Sequence, residues 1–510
     1  MELKRFENSK RNLIFGVLNR GTLILFPFLN RTILLYILGE GYLGLDGLFS
    51  SIINVLSLTE LGFGSAAVFC MYKPIVENDD DTICAILKLY RTVYRVIGTI
   101  ILLGGLAAMP FLDKLIHGDI PDGLNVQLIF LIHLVNTVLS YFLFSYKVSI
   151  LTAFQREDVI SKLTMIATIM QYSLQFVILF VFRNYYLYLL VMPCLTIIKN
   201  MGQALAVKRM FPRYEGRGKL ESSKIKQLLS KVKALFMHKI GGIIANSLDN
   251  IVISAFLGLS MVAIYGNYMY IYTSVMGLMN VFYTGIMAGI GNSLVSEPVE
   301  KNYRNFIQVS VINCWLSAWC AITMLCLYQP FMRLWAGERL LLEIGTVIII
   351  VFYFYINLSR RIVVLYRDAS GIWEKDQFVP LISGLVNVVC NVILIQKIGI
   401  NGVIISTIIA FLFIEIPWQL RALYKMCFVG YNVKEYLRVQ VFFFFLTIIV
   451  GGLTFGLVEL IAVDGIACIL VRAAVCIIFP NVLFACALGR KGKFIWDYAK
   501  RFISGGNKAE

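Results

Sequence analysis

The stretch NLIFGVLNRGTLILFPFLNRTILLYIL (12–38) decides how this chain is read. It is apolar enough and long enough to cross a bilayer as one helix, for which ~20 residues suffice. Two arginines interrupt it, Arg20 and Arg31, each preceded by an asparagine, Asn19 and Asn30. Eleven residues at about 100° each come within ~20° of three full turns, which predicts both pairs on one helix face. An arginine at mid-bilayer costs about 2.5–3.5 kcal/mol even on a lenient insertion scale. Two on one stripe must face protein or water, and there they offer a site to an anionic group. The competing role is structural pairing with Asp46 or Glu60. Pro27, between the two pairs, removes an amide donor and is either a hinge or a packed kink.

Composition carries the same reading to the whole chain. Of 510 residues 59% are hydrophobic and 15% charged, against about 25% charged in soluble domains. Mean hydropathy is +0.78. The expected fold is an all-α polytopic membrane protein. Fourteen spans are predicted, near 12–38, 42–72, 83–111, 124–151, 160–182, 185–207, 239–258, 263–293, 306–329, 341–366, 378–396, 400–424, 438–460 and 464–488. A net charge of +16 would suit nucleic acid, but the basic residues lie between apolar segments and mark topology and contacts with anionic lipid. With the N-terminus inside, 37 of the 46 Lys and Arg fall on inner segments and 5 on outer turns. Both termini are therefore expected in the cytoplasm. The first apolar run is too long for a signal peptide and is expected to remain as a span.

The longest polar stretch, 208–238, follows span six. Ile225, Leu228, Leu229, Val232, Leu235 and Phe236 recur at helical spacing among lysines, which predicts a basic amphipathic helix on the inner leaflet. It divides the chain into an N-terminal lobe (1–207), a C-terminal lobe (239–427), and two further spans with a basic tail (428–510). An offset of 219 residues maps Asn30 to Asp249, Arg31 to Asn250, Gly39 to Gly258 and Gly47 to Gly266, as a duplication would. Two lobes of six spans insert with the same orientation, so the repeat axis is expected along the membrane normal, with a substrate site between the lobes.

Polar residues within spans nominate the site. Span two is polar along much of its length, with Asp46, Ser50, Ser51, Asn54 and Glu60, as a wet cavity wall requires. Asn246, Asp249, Asn250 and Ser254 line one side of span seven. Span eight adds Asn267, Tyr268 and Tyr272, and tyrosine with asparagine suits sugar, rings against apolar faces and amides against hydroxyls. Arg360, Arg361 and Arg367 are read as lipid-headgroup anchors, and Glu415 and Arg472 as charges facing protein. Eleven cysteines form no CxxC pair, and Cys314, Cys320 and Cys326 are packing residues. Neither a metal site nor a nucleotide-binding or hydrolase motif is expected.

The strings LGEGYLGLDGLF (38–49), LSLTELGFG (56–64) and MYKP (71–74) resemble the polysaccharide-biosynthesis flippases of the multidrug/oligosaccharidyl-lipid/polysaccharide exporter superfamily. The resemblance implies two six-helix lobes around a cavity that opens alternately to each side of a bacterial inner membrane. It implies a substrate of oligosaccharide on polyprenyl diphosphate, destined for capsule, exopolysaccharide or O-antigen-like glycan, and cationic cavity residues that hold the diphosphate. Arg20 and Arg31 are the matching positions. No cofactor is implied; Na⁺ or H⁺ coupling through Glu60 or Asp249 is one driving force, and polymerisation outside is another. Partners would be the lipid-linked oligosaccharide, anionic lipids, and the polymerase or glycosyltransferases of the same pathway, with no nucleic acid. The alternatives are a drug or cation antiporter of the same fold and a membrane glycan polymerase or glycosyltransferase.

Overall fold

Gly39 and Gly258, 219 residues apart, end two helices in the same way. α1 (Arg5–Ile37) precedes Gly39, which has φ 106° and ψ 175°. α9 (Ser222–Leu257) is closed by Gly258 at φ 87° and ψ 174°. Each glycine amide reaches back five residues to a carbonyl, Gly39 to Leu34 and Gly258 to Ile253, both at 3.2 Å. Positive φ without a Cβ is what such a helix end needs. The shared backbone supports the duplication expected from the sequence.

A computed structural model describes residues 5–60, 63–118, 120–372, 377–461, 463 and 465–489. Among the described residues every regular element is helical. Ten helices are long and apolar enough to cross a membrane, and an eleventh span is the pair α5 (Val126–Phe142) and Ser145–Ala153, bent by 47°. The expected count of fourteen is thus not established by length and hydropathy. The first expected span falls on α1, the second on α2 (Glu40–Leu56) with α3 (Phe63–Glu77), and the seventh on α9.

The chain forms two compact units, Met1–Gly266 with Pro380–Val392, and Asn267–Val379 with Ile393–Glu510. The division falls at Gly266, not at the basic stretch 208–238. That stretch also does not form a helix of its own. α9 runs unbroken from Ser222 into the expected seventh span, and its buried Leu228 and Val232 pack on Ala66 of α3. The apolar stripe read as facing lipid is in this part covered by protein.

In the first unit α1 packs on α7 (Glu157–Val181), α7 on α8 (Tyr185–Met210), α2 on α9, and α4 (Asp80–Ala108) on α5. Side-chain caps start these helices: Asp79 accepts from the Thr82 amide at 2.9 Å, Asn125 from Leu128 and Asn184 from Leu187, both at 3.0 Å. The α2–α9 contact depends on Gly44, where a Cβ would stand 2.2 Å from the Leu259 carbonyl oxygen. In the second unit α11 (Val299–Ala336) packs on α12 (Ile344–Ser359), α17 (Lys434–Glu459) and α18 (Gly465–Leu488). Large apolar side chains such as Leu103, Phe180 and Leu453 are exposed, as lipid-facing positions are.

Candidate functional site

The sequence places Arg20 and Arg31 together; the structure separates their surroundings. Arg20 is exposed on α1, and among the described residues no carboxylate pairs with it. Arg31 is half-buried, with its Nη2 donating to the Ala263 carbonyl at 3.4 Å. Ala263 belongs to α10 (Leu259–Ser296), whose first turns lie in the first unit. A Cβ on Gly266 would lie 2.6 Å from Arg31 Nη2, so only glycine admits the guanidinium there. Asn30 Nδ2 donates to the Tyr188 hydroxyl at 2.7 Å, fixing the neighbouring position of α1 against α8. Asp46, a suspected partner of the arginines, has His133 Nε2 at 3.7 Å.

Asp249 of α9 is buried at 6% exposure, and so are the neutral groups that hold it. Asn391 Nδ2 donates to its Oδ1 at 2.6 Å and also approaches Asn387 Oδ1 at 3.3 Å. Tyr265 forms a further side-chain hydrogen bond to the same carboxyl. Asn387 and Asn391 lie on α14 (Val379–Ile398), in the part that belongs to the first unit. Among the described residues no Lys or Arg lies within salt-bridge distance of Asp249. The sequence reading missed both asparagines. Their i, i+4 spacing within an apolar span was the available signal.

The other nominated residues are divided. Asn250 Nδ2 donates to Ser51 Oγ at 2.9 Å, a direct link between α9 and α2. Asn54 is exposed. Glu60 closes a short 3-10 turn, Ser57–Glu60, and Asn246 lies within α9; both side chains lie outside the described residues.

In the second unit Asn267, Tyr268 and Tyr272 are buried, with Tyr268 fully enclosed. Tyr268 donates to Gln329 Oε1 at 3.0 Å and accepts from the Leu342 amide at 3.1 Å. Tyr272 accepts from Asn357 Nδ2 at 2.6 Å and stacks on Tyr353 at 4.8 Å. Tyr268 and Tyr272 tie helices together inside this unit, where a cavity lining was expected.

The span-ten arginines require a correction, because they are not headgroup anchors. Arg360 sits in the break between α12 and α13 (Arg361–Ser370). Its guanidinium pairs with Glu415, lies 3.8 Å from the Phe411 ring centroid, and is 12% exposed. Phe411–Glu415 is itself a π-helical turn between α15 (Ile400–Ala410) and α16 (Ile416–Met426). Such a bulge displaces Glu415 from regular register. Arg367 is 9% exposed and pairs with Asp368 at 2.7 Å. Glu415 and Arg472 do face protein as expected, Arg472 meeting Glu459 at 2.8 Å. Cys314 and Cys326 are buried and free. Among the described residues no group of three His, Cys, Asp or Glu can hold a metal.

No protein-family model and no curated protein sequence matches the chain. Solved structures do. The lipid II flippase MurJ in an inward closed conformation aligns with a TM-score of 0.64 at 15% identity, over 94% of this chain and 98% of that one. An inward-facing multidrug resistance MATE family transporter of the MOP superfamily aligns at 0.60 and 13% identity, over 83% and 98%. An outward-facing MATE transporter aligns at 0.51 and 13% identity, over 83% and 96%. At such identities the likeness concerns architecture. This chain has the multi-pass helical fold of MOP-type transporters.

Proposed function

We propose that this protein is an alternating-access flippase that moves a polyprenyl-diphosphate-linked oligosaccharide from the inner to the outer leaflet of a bacterial inner membrane. The observation that carries the proposal is Arg31, a guanidinium within an apolar helix, kept at its place by the absence of a side chain at Gly266. A diphosphate carries about two negative charges, and moving these bare through hydrocarbon would cost tens of kcal/mol. Charge-assisted, bidentate hydrogen bonds from arginine replace the lost water. Arg20, exposed on the same helix, is the second cation for the same group. The lipid tail stays in the bilayer throughout, and no covalent bond changes. The fold supports this reading, since it is shared with a lipid II flippase and with transporters in both inward- and outward-facing forms.

Asp249 supplies a route for energy input. A buried carboxylate surrounded by neutral donors is matched by a proton or a cation, because an uncompensated charge at that depth is expensive. We place H⁺ or Na⁺ coupling there.

A drug or cation antiporter is the second reading, favoured by the same buried carboxylate and by the MATE likeness. Reconstituted vesicles separate the two. Flipping of a lipid-diphosphate glycan is expected in wild type and reduced at least about tenfold in Arg31→Ala, as loss of one charge-assisted hydrogen bond implies. Unchanged flipping in Arg20→Ala and Arg31→Ala variants, or uptake of lipophilic cations alone, overturns the assignment.

A further inference from the structure

A cavity of about 660 Å³ lies inside the first unit, between α3, α4, the bent span and α8. It does not include Arg20, Arg31 or Asp249, and nothing above assigns it a role. Its size falls in the range of small-molecule sites, about 300–1,000 Å³. The bend creates it. α5 stops at Phe142, Phe144 takes a left-handed conformation at φ 59°, and Ser145–Lys147 forms a short turn before α6 (Val148–Ala153). A helix end leaves carbonyls without amide partners, and Ser145 Oγ donates to that of Ser140. Ser149 Oγ likewise donates to the Tyr146 carbonyl at 2.6 Å. Both hydroxyls line the cavity with their lone pairs still able to accept.

Across from them α8 contributes Lys199, Asn200 and Gln203. Asn200 is 3% exposed, and its Nδ2, a buried donor, has no hydrogen-bond partner. Such a group is costly unless something else fills the site. Lys199 lies within an apolar span, another position at which a charge needs a reason. Among the described residues no carboxylate lines the cavity or pairs with Lys199. Tyr72 and Tyr94 add ring surface to the wall.

We infer that this cavity binds a sugar carrying one negative charge. The single ammonium matches one anionic group, the amides and serine oxygens match hydroxyls, and the rings match the apolar face of a pyranose. The anionic sugar can come from an acidic residue of a lipid-borne glycan or from a soluble sugar phosphate. The inference stands apart from the flippase reading, because binding is measured without transport.

The test is calorimetry on the full chain in nanodiscs with four probes: methyl glucuronide, glucose 6-phosphate, methyl glucoside and inorganic phosphate. At least one sugar anion is expected to bind about tenfold or more tightly than methyl glucoside and phosphate. Lys199→Gln should abolish that preference and Lys199→Arg retain it. A preference for the glucuronide identifies the glycan source, and one for the 6-phosphate the soluble source. In wild-type protein the favoured sugar should also slow acetylation of Lys199, which needs no variant to fold. Phosphate binding as tightly as the sugar anions, wild-type affinity in Lys199→Gln, or no binding and no protection at millimolar concentration overturns the inference.

Discussion

Nη2 of Arg31 stands 2.6 Å from the point where a Cβ on Gly266 would lie. A cation on α1 and a glycine on α10 are therefore one structural feature. Replacing Gly266 with alanine forces the guanidinium aside. The displaced atom is the far end of a flexible side chain, so the cost in stability is at the low end of overpacking, about 1 kcal/mol. Flipping should nonetheless fall about as far as in Arg31→Ala. Thermal unfolding and a vesicle flipping assay on the same preparation check both halves.

Arg360 and Glu415 are 12% and 16% exposed. Removing one partner of such a pair leaves a buried charge unmatched and costs about 3–5 kcal/mol, whereas replacing both by apolar groups is often near neutral. Glu415→Leu should lower the unfolding midpoint in detergent markedly, and Arg360→Met with Glu415→Leu should restore most of it. An additive double-mutant cycle would show that the pair does not act as a unit.

The break in span ten is held by Asn313, whose Nδ2 donates to the Leu358 and Ser359 carbonyls at 2.9 and 3.0 Å. Asn313→Leu leaves both carbonyls and the Tyr283 hydroxyl without this partner. A loss of about 1–3 kcal/mol per stranded group is expected. Asn313→Asp, which keeps the acceptor and removes the two donors, should recover only part of it.

Asp249→Asn preserves shape and removes the ionisable group. If Asp249 carries the coupling, the variant should fold normally and flip at a rate that no longer responds to imposed proton or sodium gradients. Asn391→Leu, which deletes the donor at 2.6 Å, should change that response without abolishing it. Stopped-flow flipping with each gradient imposed separately is the measurement, and a wild-type response in Asp249→Asn excludes the role.

Asp79 caps α4, and its hydrogen bonds from Thr82 hold the carboxyl below its ordinary value. The folded-state value lies below the unfolded one. The cap therefore contributes fully above about pH 4 and is lost as pH falls through the lowered folded value. The difference in unfolding midpoint between wild type and Asp79→Ala should be constant from pH 7 to 5 and close only below about 4.

Much of this molecule is legible in its hydropathy. Each expected span coincides with one helix or a broken pair, because ~20 apolar residues in lipid have few alternatives to a helix that satisfies its own backbone. The matched helix ends at Gly39 and Gly258 were visible as a 219-residue offset, since positive φ restricts the residue type locally. The headgroup role expected of Arg360 and Arg367 did not hold for the same reason that most intramembrane pairings are unreadable. An arginine near a span end looks alike whether it meets lipid or a carboxylate 55 residues away.

What the sequence by itself determined is the class: a polytopic helical membrane protein with cations at depth on its first helix and a duplicated helix end. These follow from composition and from periodicity along the chain. Which polar groups meet was decided only by tertiary structure, as with Asp249 and Asn391, Arg360 and Glu415, or the cavity around Lys199 and Asn200. The physical reason is that helix packing brings together residues up to about 150 positions apart, and a buried polar group is specified by what surrounds it rather than by its own neighbours in sequence.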